Sequence, residues 1–225
     1  LDKVYLYQLS NYNKVVLQRN KLLKELYLHP DYREVLDVLD MQLVQYGSAL
    51  IQRRQTFAEE LGEIVHRIHS QLSGGQEEME LKYEPNVTVD AFAQMLFSNR
   101  ERDMRLKTTA TGPHRDDISF VVNGVDIRKF GSQGQQRTAA LSLKLSEIEL
   151  VKRLIGDTPV LLLDDVLSEL DSGRQNYLLN SIENIQTLIT CTGLDEFVNH
   201  RFSINRIYKV TDGSVTVENK QEADR

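Results

Sequence analysis

Apolar residues recur at steps of three and four through the first third of the chain. Leu9, Tyr12, Val16, Leu23 and Leu26 share one helical face, which Arg19 interrupts. His29-Pro30-Asp31 breaks this helix, and Asp31 is a natural N-cap for the next. The spacing returns over residues 32–69 with Leu36, Leu39, Leu43, Tyr46, Leu50, Phe57, Leu61, Ile64 and Ile68. Two long helices joined by so short a break should pack antiparallel, with the two stripes as their shared core. A polar, glycine-containing loop follows over 70–76, then a short strand at Leu81-Lys82-Tyr83 closed by Pro85. A further helix is predicted from an Asp90 cap to about residue 105.

After Thr111 the pattern changes. Apolar runs at 118–122 and 125–127 flank Asn123-Gly124, a hairpin signal, and 207–210 and 215–217 flank Asp212-Gly213 in the same way. Helices are expected over 135–154, with Leu141, Leu145 and Ile148 on one face, and over 172–185. The aliphatic strand Val160-Leu161-Leu162-Leu163 reads as buried on both faces, as does a second strand over 187–192. Strands alternating with helices indicate an α/β layer. The fold expected is α/β, with parallel strands, flanking helices and β-hairpins, joined to an α-helical hairpin lobe. The lobe is assigned to residues 1–85 and the α/β part to 86–225.

Composition adds constraints. The single cysteine, Cys191, precludes an intramolecular disulfide and reads as a small buried hydrophobe. No apolar run approaches membrane-spanning length, and no secretory signal opens the chain, so a cytoplasmic protein without a membrane partner is expected. The net charge of -6 argues mildly against a nucleic-acid binder, although a local basic face remains compatible with it. The cluster Arg100, Arg102, Arg105 and Lys107 is the candidate for such a face. On pattern alone it is better explained as cations at a helix C-terminus.

The chemistry concentrates in two segments. Asp164-Asp165 ends the aliphatic strand, where open α/β sheets bind ligands. Adjacent carboxylates there are costly without a neighbouring cation, and Mg2+ bound with nucleotide phosphates suits them. Asp164 would hold the metal, and Asp165 would orient or deprotonate an attacking water. Upstream, Gly131-Ser132-Gln133-Gly134-Gln135-Gln136 lies directly before a helix, and a helix N-terminus offers N–H groups to phosphate. The 225 residues contain no GxxxxGK[ST] loop, so the main nucleotide cradle must be elsewhere.

At these residues the chain resembles the ATP-binding-cassette ATPases, in the DNA-repair branch that includes RecF and the SMC proteins. Residues 132–136 look like the signature motif, 160–165 like the Walker B strand and Ser168-Glu169-Leu170-Asp171 like the D-loop. Gln18-Arg19-Asn20-Lys21-Leu22-Leu23 and Thr111-Gly112-Pro113-His114-Arg115-Asp116-Asp117 narrow the resemblance to the RecF family. It implies an ABC-type core seen from its carboxy-terminal side, lacking the Walker A segment, as Leu1 in place of Met also suggests. It implies ATP and Mg2+ as cofactors, with Ser132, Gln133, Gly134, Gln135, Gln136 and Asp171 facing nucleotide. It implies a homodimer on ATP binding and DNA at single-strand gaps and double-strand junctions. RecO and RecR would be partners in loading RecA, on the nucleoid. Gln133 stands where transporters have glycine, Asp165 stands in place of the usual Glu after the Walker B Asp, and no histidine follows the strand ending at 190–192. Slow, DNA-dependent ATP hydrolysis is therefore expected, with Thr190 or Thr192 sensing the γ-phosphate and these residues inactive alone.

Two competing readings bear on function. Leu72-Ser73-Gly74-Gly75-Gln76 matches the transporter signature letter for letter, yet Glu77, Glu78 and Glu80 behind it would repel phosphate. It reads as the loop leaving the helical hairpin. An SMC-like coiled-coil interaction module is the alternative function, and the shortness of the hairpin argues against it.

Overall fold

The two predicted stripes become α1 (Lys3–Glu25) and α2 (Arg33–Leu72) in the computed structural model, which describes residues 2–26, 33–167, 170–182, 184–191 and 205–218. Asp2 and Tyr5 at the start of α1 meet Arg53 and Arg54, and Arg19 farther along meets Asp40, so partners descend α2 as α1 is climbed. The pair is antiparallel, as expected. Tyr12, Leu23, Leu43 and Leu50 fill the seam and continue into Phe92 and Leu96 of α3 (Val89–Ser98). Phe57 departs from the expected stripe at 39% exposure, because Ala58 takes the inward place of that turn. The His29-Pro30-Asp31 break and its Asp31 cap lie outside the described residues.

The expected strand at 81–83 is β1 (Met79–Glu84), which pairs antiparallel with β2 (Asp117–Val122); β2 then pairs with β3 (Val125–Asp126). Asn123 and Gly124 turn the hairpin at φ 48 and 81. Ile127, expected in the hairpin, instead opens α5 (Ile127–Phe130), because the Asp126 carboxylate caps that turn. The helix expected over 90–105 is two, α3 and α4 (Arg100–Leu106), parted at Asn99, whose side chain donates to Thr111 Oγ1 at 2.9 Å. Thr88 holds the N-cap position, and Asp90 lies in the first turn. α6 (Gln133–Ile155) ends on Gly156 at φ 73 and packs on α2.

The chain divides into two units, Leu1–Asp157 and Thr158–Arg225. In the second, β4 (Leu161–Asp164) pairs in parallel with β5 (Thr187–Thr190), opposing Asp164 to Thr190. Asp171 caps α7 (Ser172–Ser181), and Asp212-Gly213 turns the hairpin of β6 (Ile207–Thr211) and β7 (Ser214–Glu218). The expectation of strands buried on both faces is corrected here. Leu161 and Leu163 are buried, but Leu162 is 68% and Leu188 56% exposed, since only one face of β4–β5 is covered among the described residues. Cys191 is half-buried just past β5. Among the described residues no helix is long and apolar enough to cross a membrane.

A buried polar knot fixes the first unit. Arg19, the residue that breaks the apolar stripe, is fully buried and donates to Asp40 at 2.6 Å, Asp103 at 2.6 Å and Thr109 Oγ1 at 3.0 Å. Asn20 Oδ1 accepts from Thr109 N–H at 2.7 Å. The segment 111–117 is tied in at three further points. Tyr12 bonds His114, Arg54 donates to Pro113 O and Asp116, and Asn86 Oδ1 accepts from Gly112 N–H. Gly112 sits at φ 133, and a Cβ there would run into the Tyr12 hydroxyl, so glycine is required. The two segments that narrow the family resemblance are thus linked through Thr109, which bonds Arg19 and Asn20 on one side and, by its carbonyl, His114 Nε2 at 2.9 Å on the other.

Candidate functional site

The candidate phosphate site of the first unit is built where α5 hands over to α6. Gly131 N–H bonds Ile127 O at 3.0 Å, and a Cβ on Gly131 would lie 2.5 Å from that oxygen, so only glycine makes this turn. Ser132 then stands at the N-cap in extended conformation. Gln135 N–H donates to Ser132 Oγ at 3.2 Å, and Ser132 N–H donates to Gln135 Oε1 at 3.1 Å, completing a capping box. Gln133 and Gly134 are exposed, and in the first turn their N–H groups have no intrahelical acceptor. Gln136 plays a different part, donating to Ile127 O at 3.0 Å and bracing the turn.

Behind the box stands a residue that sequence reasoning did not assign to the site. Gln135 Nε2 donates to Glu77 Oε1 at 3.0 Å, although the two are 58 positions apart. Glu77 Oε2 lies 3.2 Å from Nε2 of the fully buried His69, whose Nδ1 is 2.9 Å from Ser142 Oγ on α6. Glu77 is aimed by the letter-for-letter signature match. Ser73 Oγ accepts from Glu77 N–H at 3.2 Å, while Gly74 and Gly75 close the end of α2 at φ 64 and 77. The 72–76 segment is therefore a helix terminus, as expected, and also a support for residues 132–135.

In the second unit the Thr190 hydroxyl donates to Asp164 Oδ1 at the C-terminal end of the parallel pair. Asp165 follows at φ 51, a left-handed conformation that Asp tolerates better than most residues, with its N–H on Thr190 O at 3.1 Å. Both carboxylates are exposed to solvent, so they need no cation to be tolerated, contrary to the cost expected from a buried strand end. Among the described residues no group of three or more His, Cys, Asp or Glu could hold a metal by itself. A single aligned carboxylate fits Mg2+ that draws its remaining oxygens from phosphates and water. Asp171 caps α7 through Arg174 N–H at 3.0 Å and pairs with the Arg174 side chain; that backbone bond foremost lowers its pKa. Leu170 is buried, while Ser168 and Glu169 of the D-loop-like segment and Thr192 lie outside the described residues.

Of the four candidate DNA contacts, Arg100 is committed elsewhere. It pairs with Asp37 at 2.5 Å and Asp40 at 2.7 Å, and its guanidinium lies 4.9 Å from the Phe97 ring centroid. Arg102, Arg105 and Lys107 are exposed, without an ion pair among the described residues. The bonds from Arg19 to Asp103 and from Asn20 to Thr109 hold this segment against α1, where Lys14, Lys21 and Lys24 are exposed at steps of one and two turns.

No family model matches the chain. It is 58% identical over 221 residues to the DNA replication and repair protein RecF of Lachnospira eligens, covering 97% of this chain and 61% of that protein. It is 58% identical to RecF of Agathobacter rectalis over 96% of this chain, and 43% identical to that of Halalkalibacterium halodurans, again over 96%. A solved structure described as the recombination mediator protein RecF-ATP in the RecFOR pathway matches with TM-score 0.84 and 33% identity, over 97% of this chain and 59% of that one. The chain spans about three fifths of the length of the relatives it matches.

Proposed function

The chain belongs to the RecF family, and on that premise we propose that it serves a recombination mediator as part of an ATP-driven DNA clamp. The observation that carries this reading is the exposed, Ser132-headed start of α6, with Gln133 and Gly134 N–H groups available to an oxyanion. Ser132 closes on nucleotide held by a second copy. Asp164 aligns the Mg2+ of nucleotide held on its own copy, Thr190 fixes that carboxylate, and Asp165 orients the attacking water. Magnesium, when bound, supplies neutralisation of phosphate charge. Hydrolysis is slow, and dimerisation rather than turnover sets the grip on DNA at gaps and junctions. RecO and RecR share the task of loading RecA.

DNA is met by Arg102, Arg105 and Lys107 together with Lys14, Lys21 and Lys24 of α1, not by Arg100. A freely projecting SMC-like arm is disfavoured because α2 is engaged along its length: Asp40 with Arg19, Arg54 with Pro113, Arg67 with Glu149, His69 with Ser142.

The test is Ser132→Arg in the full-length protein. A long cation in a slot for a small residue leaves ATP binding intact and abolishes ATP-dependent dimerisation and hydrolysis. Mixing these chains with chains lacking the phosphate-loop lysine restores partial hydrolysis, because one site of the heterodimer is whole. Loss of ATP binding by the Ser132→Arg monomer would overturn the assignment in trans.

A further inference from the structure

The resting hydrogen bonds of the signature-like segment oppose the task just proposed for it. Gln135 Oε1 occupies the Ser132 N–H at 3.1 Å, and Ser132 Oγ occupies the Gln135 N–H at 3.2 Å. An incoming oxyanion competes for both. The Gln135 amide is not free to turn away, because its Nε2 is drawn to the Glu77 carboxylate at 3.0 Å.

We propose that Glu77 is a positioning residue that restrains nucleotide-driven dimerisation, by latching Gln135 in the closed capping box and by setting a negative charge beside the helix start. This rests on the proposed function, since it presumes that the start of α6 meets a partner's phosphate. Two features make the latch specific. Ser73 Oγ fixes the Glu77 backbone at 3.2 Å, and His69 fixes the second carboxylate oxygen at 3.2 Å, so the charge is held in place. The Glu77 side chain is 20% exposed and His69 wholly buried, so the outer partner can be changed without opening the core. A helix N-terminus favours anions, so a carboxylate held beside it on the Gln135 amide offsets the field that would draw phosphate and repels the phosphate itself. Closure on the N–H groups of Gln133 and Gly134 brings the phosphate toward Glu77, and it gains the Ser132 and Gln135 N–H groups only as Gln135 releases Ser132.

A glutamine at 77 retains the size and an acceptor for Gln135 while removing the charge. The experiment is sedimentation analysis of the full-length protein across protein concentration with Mg-ATP, comparing wild type, Glu77→Gln, Glu77→Asp and Ser73→Ala. Glu77→Gln is expected to lower the dimer dissociation constant about three- to tenfold, the effect of one charge near a helix terminus. ATP affinity of the monomer stays unchanged, because the segment acts on the partner's nucleotide. Ser73→Ala, which loosens the Glu77 backbone, moves dimerisation the same way, and Glu77→Asp, which keeps the charge but draws the carboxylate back from Gln135, falls between wild type and Glu77→Gln. A purely structural Glu77 would change melting temperature and leave the dimer constant alone, and that result overturns the proposal, as does weaker dimerisation of Glu77→Gln. A wild-type protein that fails to dimerise with ATP overturns the underlying function as well. That failure is distinguishable from wild type and Glu77→Gln dimerising equally, which overturns only the latch.

Discussion

Asp103→Asn removes one carboxylate from the buried knot, and the structure sets the size of the loss. Asp103 is fully buried; Oδ2 accepts from Arg19 Nη1 at 2.6 Å and Oδ1 from Ala110 N–H at 3.1 Å. An asparagine keeps the second bond but turns an amide N–H toward the guanidinium, donor against donor. Arg19 is itself wholly buried, with Asp40 already shared between it and Arg100. Removing one partner of a buried pair typically costs about 3–5 kcal/mol. That is a large part of a total stability of roughly 5–15 kcal/mol. At about 2–4 °C per kcal/mol for a chain of this size, the melting temperature should fall by about 6–20 °C. The assay is urea and thermal unfolding followed by circular dichroism, with Asp37→Asn as control. Asp37 also pairs with an arginine, but its side chain is 59% exposed, so its loss should stay within about 1 kcal/mol. If Asp103→Asn also stays within about 1 kcal/mol of wild type, the knot does not hold the first unit together and the argument fails.

Burial holds the His114 pKa below its ordinary value of 6.5, while Tyr12 and Thr109 bond its two ring nitrogens. The unfolded chain therefore takes up this proton first, so stability is full above pH 6.5 and declines as pH falls below it, by at most about 1.4 kcal/mol per pH unit. His114→Gln should flatten that slope; an unchanged slope in chemical denaturation would assign it to other groups. In the full-length protein, Asp164→Asn should weaken magnesium-dependent ATP binding while Asp165→Asn binds normally and stops turning over; equal binding by wild type and Asp164→Asn contradicts the metal role. Replacing Lys14, Lys21, Lys24, Arg102, Arg105 and Lys107 with glutamine should weaken DNA binding and reduce the log–log salt slope by about one unit per lost contact. The same slope in the sextuple variant excludes this surface, and Arg100→Gln should lower stability rather than DNA affinity.

Local spacing determined the helical hairpin and most of the succession of strands and helices, and Asn123-Gly124 and Asp212-Gly213, which favour left-handed backbone, determined both β-turns; the break at Asn99 and the α5 turn were not legible. The small-residue turn ahead of a helix at 131–134 and the carboxylates at 164 and 165 were legible for the same reason, since a helix start and a strand end are set by neighbours within a few residues, but the helix opens at Gln133 rather than 135 and the Ser132–Gln135 capping box was not read. Partners brought together across the chain were not legible. Arg19 looked like a flaw in an apolar face until Asp40 and Asp103 closed on it, and Arg100 looked like a solvated cation until two aspartates of α2 claimed it. Glu77 looked hostile to phosphate in a loop of its own, and folding put it against Gln135 instead. Ladders, caps and turns repeat at fixed intervals along a chain. Which buried charge meets which is settled only when packing desolvates them together, and no local pattern records that choice.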